Sequence, residues 1–234
     1  MNRSEHGTEA DTGLAEVLGR IARTLQAEPD VDTTLQAIVK AAVDHVDGAE
    51  QAGISLAERR GRIRTVAPTA DLVVEIDRIQ YRTREGPCVD AIAEHEIFRV
   101  DDLTTEPRWP QFAPVAARTG VRSMLSYRLF LTDSTLGALN LYSGHPDAFS
   151  DRTEQDGRMF ATHAAIALSA AQQEAHLRAA VEHRDTIGMA KGILMQRHDV
   201  DPVGAFRMLV DASQQGNIKL HQVATWLVEH RREL

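Results

Sequence analysis

From Arg158 to Arg197 the chain carries neither a proline nor a glycine pair, so nothing stops one long helix from forming there. Just upstream, Asp151-Arg152-Thr153-Glu154 fits a capping box with the aspartate in the cap role. A heptad frame runs through Met159, His163, Ile166, Ala170, Gln173, Leu177, Ala180, Arg184, Ile187, Lys191 and Leu194. Its apolar members are few and several are small, which fits a loose seam rather than a tight one. The frame predicts a homodimer through this helix. It also makes the helix the simplest linker between the chain on its N-terminal side and the chain on its C-terminal side.

Within that helix lies Arg184–Met195, R-D-T-I-G-M-A-K-G-I-L-M, with Gly188 and Gly192 four residues apart. Each glycine costs about 1 kcal/mol against alanine inside a helix, so a packing or binding reason is expected. The spacing puts both on one face, flanked by Arg184 and Lys191. Asp201-Pro202 then starts a second helix bearing Ala205, Phe206, Leu209 and Val210 as its apolar set. Gln215-Gly216-Asn217 ends it, with Gly216 placed for the C-cap and Asn217 for capping a third helix. The third carries Leu220, Val223, Ala224, Leu227 and Val228. Three helices therefore close on one small apolar core.

The blocks I-G-M-A-K-G-I-L-M, A-F-R-M-L-V-D-A-S and K-L-H-Q-V-A, in that order and spacing, resemble the ANTAR domain, a three-helix RNA-binding module of bacterial transcription antiterminators. The resemblance covers residues 171–234. It implies binding to hairpins in a nascent transcript, a pair of loops read by a dimer, so that a terminator does not form. Carried over to this chain, it points to Ala190, Lys191 and Gly192 as RNA-binding positions, with Arg184 on the same helix. Arg197 and Lys219 join them on charge grounds, at helix ends. For Arg184 and Lys191 the competing reading is snorkelling, the stems covering core and the charges reaching water.

Composition alone does not point to RNA. The net charge is −8, and residues 1–171 carry all of it, with 18 Lys/Arg against 26 Asp/Glu. Residues 172–234 hold eight of each sign and five histidines. Affinity for a polyanion from a general basic field is thereby excluded. A DNA-binding reading, with the second and third helices as a helix-turn-helix, remains as an alternative, its base-reading candidates being Lys219, His221, Gln222 and Thr225. So does a sensor acting through protein contacts alone.

Ahead of the long helix the periods change. Residues 1–12 read as a disordered lead, polar and without a signal core, and Leu14, Val17, Leu18, Ile21 and Leu25 as a first helix ending near Gln26. A second helix starts at Asp32 or Thr33 and ends at Asp47-Gly48. Ala52–Ala57 and Arg62–Ala67 form a strand pair around Glu58–Gly61. Asp71–Gln80 is ambiguous, with helix as one reading. Val89–Glu94 is a short helix, Ile97–Val100 a strand, Phe112–Arg118 a helix, and Ser123–Leu131 with Leu136–Ser143 an antiparallel pair. The class is α+β, a mostly antiparallel sheet flanked by helices. The blocks Glu85-Gly86-Pro87-Cys88, Asp101-Asp102-Leu103, Arg108-Trp109-Pro110, Gly120-Val121-Arg122-Ser123 and Leu136–Ser143 resemble a GAF domain over residues 14–170. That resemblance implies a sensor for a small-molecule or redox signal, whose identity the fold does not name.

Chemistry-bearing constellations are sparse. Cys88 is the single cysteine, at a helix start where a thiol can be activated, though a small buried turn residue is the more ordinary role. No histidine pair sits at i, i+4, no phosphate-binding glycine loop or nucleophile–base set is visible, and Asp101-Asp102 read as the end of a strand. Neither a catalytic site, a metal nor a cofactor is expected. Trp109, Phe112, Tyr127, Phe130 and Tyr142 are candidates to line a sensor pocket, with no ligand contact assigned. Nothing approaches a membrane-spanning apolar run, and the whole fits a cytoplasmic protein.

Overall fold

A computed structural model describes residues 31–58, 61–94, 97–131 and 134–231. The expected lead and first helix, at 1–12 and Leu14–Gln26, fall outside the described residues. The chain divides into two compact units, Met1–Gln172 and Gln173–Leu234.

In the first unit, α1 (Val31–His45) precedes β1 (Gln51–Ala57) and β2 (Ile63–Val66). The ambiguous stretch is a helix, α2 (Asp71–Thr83), followed by α3 (Pro87–Glu94), β3 (Ile97–Val100) and the short α4 (Ala113–Ala116). A 3-10 turn, Ala117–Thr119, follows α4 where the sequence predicts one α-helix running on to Arg118. Then come β4 (Ser123–Leu131) and β5 (Ser134–Ser143), the latter starting two residues before the expected Leu136. The strands form one antiparallel sheet in the order β2-β1-β5-β4-β3.

Strand alternation gives the sheet two different faces. One carries Ala52, Ile54, Leu125, Tyr127, Leu129, Leu139 and Leu141 against Leu35, Ile38, Val39 and Ala42 of α1. The same core takes in Phe160, Ala161, Ala164, Ala165 and Leu168, from the start of the long helix α5 (Asp151–His198). These recur at three and four residues, one helical face. The Tyr127 hydroxyl donates to the Thr153 and Glu154 carbonyls of α5, at 3.3 and 3.2 Å. A side chain at Gly157 would collide with that hydroxyl, its Cβ falling 2.0 Å away. The helix therefore accepts a glycine so that tyrosine and backbone can meet. The opposite sheet face places Met124 and Tyr142 with Val73, Ile76 and Ile79 of α2 and with Trp109, Phe112, Ala113 and Ala116.

The start of α5 corrects one expectation. Its N-cap is Ser150, whose Oγ accepts the Thr153 amide at 3.2 Å, and Asp151 is already helical. Asp151 instead pairs with Arg99 at 2.7 Å, and Arg99 also meets Asp101 at 3.0 Å. Of the heptad frame, Met159 (47% exposed) and Ile166 (49%) lie at the surface, because the sheet takes the neighbouring face, and Leu177 is 62% exposed.

In the second unit the last turns of α5 pack with α6 (Pro202–Gly216) and α7 (Leu220–Glu229). Ala190, Leu194, Ala205, Leu209 and Ala224 are its buried centre. Asp201 caps α6, its Oδ1 accepting the Gly204 amide at 2.7 Å. The C-cap is Asn217 in the left-handed region (φ 49°), not Gly216. Asn217 also does not cap α7, because Lys219 occupies that position and makes no side-chain cap bond.

Candidate functional site

The C-terminal unit sorts the expected contact residues into different places. Ala190 is fully buried against Ala205 and Ala224, so its methyl is a spacer that lets three helices approach. Gly192 and Gly188 are exposed, and a Cβ on either would meet nothing within 4 Å. Among the described residues no packing therefore calls for these glycines. Lys191 is half-buried, its Nζ 5.9 Å from the ring centroid of Phe206 on α6. Arg184 is exposed two helical turns before Lys191, Arg197 lies in the last turn of α5, and Lys219 stands exposed at the start of α7. Among the described residues none of these four cations is in an ion pair; the ion pair of this unit is Arg178 with Glu174. Lys191 and Phe206 are the pair the fold brings together, although the apolar pattern of α6 by itself places Phe206 in the core.

On α7, His221 stacks on His183 of α5 with ring centroids 3.9 Å apart. Desolvation, then the neighbouring His183 and Lys219, hold its pKa below the usual histidine value. One of the four side chains proposed to read DNA is thus turned to pairing within the unit. Thr225, another, donates its hydroxyl to the His221 carbonyl at 2.9 Å.

The first unit holds a buried polar network that sequence reasoning missed. Asp77 on α2 is fully buried. Its Oδ1 accepts the Tyr142 hydroxyl at 2.6 Å and Gln80 Nε2 at 3.2 Å. Its Oδ2 accepts hydroxyls from Thr65 at 2.7 Å, Ser55 at 3.3 Å and Tyr81 at 3.3 Å. Burial pushes the Asp77 pKa up, and the hydroxyl donors oppose that shift. Asn140 joins through Nδ2 to Ser55 Oγ at 2.9 Å. The Asn140 Oδ1 and Ser126 Oγ atoms on the same sheet face are buried without a partner. A cleft of about 640 Å³, lined by Arg62, Ile63, Tyr81, Arg84 and Val89, opens beside Tyr81.

Cys88 belongs to this neighbourhood. It is fully buried, its amide donates to Gln80 Oε1 at 3.0 Å, and burial with the nearby Asp77 pushes its thiol up to about 12. The helix-start position does not activate it, because desolvation outweighs the helix end. The five aromatic candidates do not share one pocket. Trp109, Phe112 and Tyr142 lie on the α2 side, whereas Tyr127 and Phe130 line a cavity of about 710 Å³ with Ile97, Arg158 and Ala161, between β3, β4 and the start of α5. Asp102 lies in the turn after β3, pairing with Arg122 at 2.6 Å and accepting the Thr104 amide, which together hold its carboxyl well below the usual range. Among the described residues no cluster of His, Cys, Asp and Glu fits a metal ion, and no helix is long and apolar enough to cross a membrane.

Comparison with known proteins agrees with this architecture. The GAF domain model matches residues 28–169 and the ANTAR domain model residues 175–228. Together they define a regulator of the ANTAR type that carries a sensor-type domain. The chain belongs to the GAF domain family, with an ANTAR domain as its C-terminal module. Among solved structures it is similar to the GAF domain of a phosphoenolpyruvate-protein phosphotransferase from Coxiella burnetii, at 15% identity and a TM-score of 0.55, over 70% of this chain and 96% of that one. It is also similar to free methionine-R-sulfoxide reductase from Neisseria meningitidis, at 17% identity and a TM-score of 0.51, over 74% and 96% of the two chains. At such identities the likeness is one of fold. No curated protein matches in sequence.

Proposed function

We propose that this chain is a signal-responsive, RNA-binding regulator of transcription antitermination. Residues 14–170 form the sensor, and residues 171–234 bind hairpins in nascent RNA so that a terminator does not form. What supports the reading is the open face of α5: Arg184 and Lys191, without an ion pair among the described residues, beside two glycines that no packing among those residues explains. Arg184, Lys191, Arg197 and Lys219 contact phosphates, and Gly192 lets the RNA backbone close in. Ala190 serves through packing. The sensor receives a small-molecule or redox signal. The DNA reading is weaker, because His221 and Thr225 are engaged within the unit.

The test is a titration of labelled stem-loop RNA against the full chain at several salt concentrations, with duplex DNA in parallel. The unit has no general basic field, so the salt dependence is shallow, reflecting a few neutralised phosphates. Lys191→Ala weakens RNA binding by about 1–2 kcal/mol, the range of a charge-assisted hydrogen bond, with the melting temperature little changed. Normal RNA binding by Lys191→Ala, or preference for duplex DNA, would sink this assignment.

A homodimer through α5 accords with the same reading, since the exposed Met159, Ile166 and Leu177 share its heptad frame. Light scattering is expected to give a dimer at micromolar concentration, and Ile166→Glu with Leu177→Glu a folded monomer. A wild-type monomer, with and without RNA, would rule the dimer out.

A further inference from the structure

Phe206 is a large apolar side chain that the core of its own unit does not use. Its helical neighbours Ala205 and Leu209 are buried, while Phe206 remains 41% exposed and Val203, one turn before it, 63%. An aromatic ring left in water at that position forgoes the burial that its two neighbours obtain. The surroundings specify what could cover it. Lys191 places a cation 5.9 Å from the ring centroid. One turn before Lys191 and immediately after it stand Gly188 and Gly192, each with open space where a side chain would project. The helical row Arg184, Gly188, Lys191, Met195 contains no acidic residue. An occupant complementary to this patch has a flat face for the ring, a negative charge for the lysine, and enough bulk to need the bare backbone. An unpaired nucleotide meets all three conditions.

We propose that Phe206 is a nucleobase-stacking platform, on which one splayed loop base lies while Lys191 holds the adjoining phosphate and the two glycines make room for the sugar–phosphate chain. This rests on the RNA-binding reading above and adds to it a subsite for a base. Stacking on an aromatic ring tolerates any base, because every base has a π-face, so the platform contributes affinity and register rather than sequence choice.

The test uses the full chain and a stem-loop RNA selected on it from a pool with randomised loops. That RNA is titrated against wild type, Phe206→Leu and Phe206→Trp, and again with an abasic site at each loop position in turn. Phe206→Leu weakens binding about tenfold, in line with the loss of one stacked base, while Phe206→Trp holds or tightens it. At one loop position the abasic RNA binds wild type as weakly as the intact RNA binds Phe206→Leu, and there the two proteins no longer differ. Equal binding of all RNAs by wild type and Phe206→Leu overturns the platform. So does a loss in Phe206→Leu with no loop position at which the difference vanishes. A change in oligomeric state with RNA affinity intact also overturns it, and assigns the ring to a protein contact. A pool that yields no binding RNA fails at an earlier step, since it removes the RNA reading itself.

Discussion

Asp77→Ala is expected to lower the stability of the sensor unit by about 3–5 kcal/mol, the range for breaking a buried polar cluster at its centre. Five donors converge on that carboxylate. Three of them keep other partners, because the hydroxyls of Thr65, Tyr81 and Ser55 also bond one another at 2.8 Å. Tyr142 and Gln80 Nε2 are left facing a void. Asp77→Asn keeps the shape, and rotatable hydroxyls can switch from donating to accepting, so its cost is within about 1 kcal/mol at low pH. The pH dependence separates charge from shape. The folded pKa of Asp77 is raised, so its contribution is complete below the unfolded value of 3.8 and is lost as pH rises through the folded value. The stability of Asp77→Asn relative to wild type should therefore rise with pH from about 4 upward. Urea denaturation at a series of pH values measures it. A flat difference between the two proteins would mean that Asp77 is ionised in both folded and unfolded chains at the same pH, and that the hydroxyls fully compensate its burial.

Why this cluster was not legible in the sequence is a matter of distance along the chain. Asp77 sits in a stretch whose apolar residues Leu72, Val73, Val74, Ile76 and Ile79 fit no single period cleanly, and an aspartate among them reads as the wet side of something. Its burial is decided by Ser55, Thr65 and Tyr142, on three strands and up to 65 residues away. Strands with strict alternation and helices with a 3.6 period were legible because each such element carries its own signal. The same local logic located the three-helix core around Ala205, Leu209 and Ala224. It misplaced Phe206, whose angular position on α6 borders the apolar arc, so that Ala205 and Leu209 are buried and Phe206 is not. It misplaced the cap of α5 by one residue, since Ser150 and Asp151 are both good caps and only tertiary pairing with Arg99 takes Asp151 away. The motif points to Lys191 as a contact position. That its charge lies against an aromatic ring was not legible, because the ring belongs to another helix.

Gly137→Ala is expected to destabilise the sensor unit by about 3 kcal/mol or more, at the upper end of what overpacking costs. Gly137 lies opposite Leu56 of β1 and Leu129 of β4, beside the irregularity in β4 at Leu129/Phe130. A Cβ there would fall 1.9 Å from the Ser55 carbonyl oxygen and 3.0 Å from the Leu56 Cα. Both are backbone atoms in a paired strand, so no side chain can swing aside and β1 itself must move. That movement reaches the polar network, because Asn140 of β5 holds Ser55 of β1 at 2.9 Å only in the present register. Gly61→Ala is the control. Gly61 has a left-handed φ of 72° but nothing within 4 Å of the added carbon. It should cost only the conformational strain, about 1–2 kcal/mol. The two tryptophans make the measurement selective: Trp109 is buried in the sensor unit, and Trp226 lies exposed in the other. Denaturation followed by fluorescence in a Trp226→Phe background therefore reports on the sensor alone. A Gly137→Ala loss no larger than that of Gly61→Ala would show that β1 can yield at Ser55, and that the close approach of these two strands is a convenience of packing rather than the constraint that selects glycine.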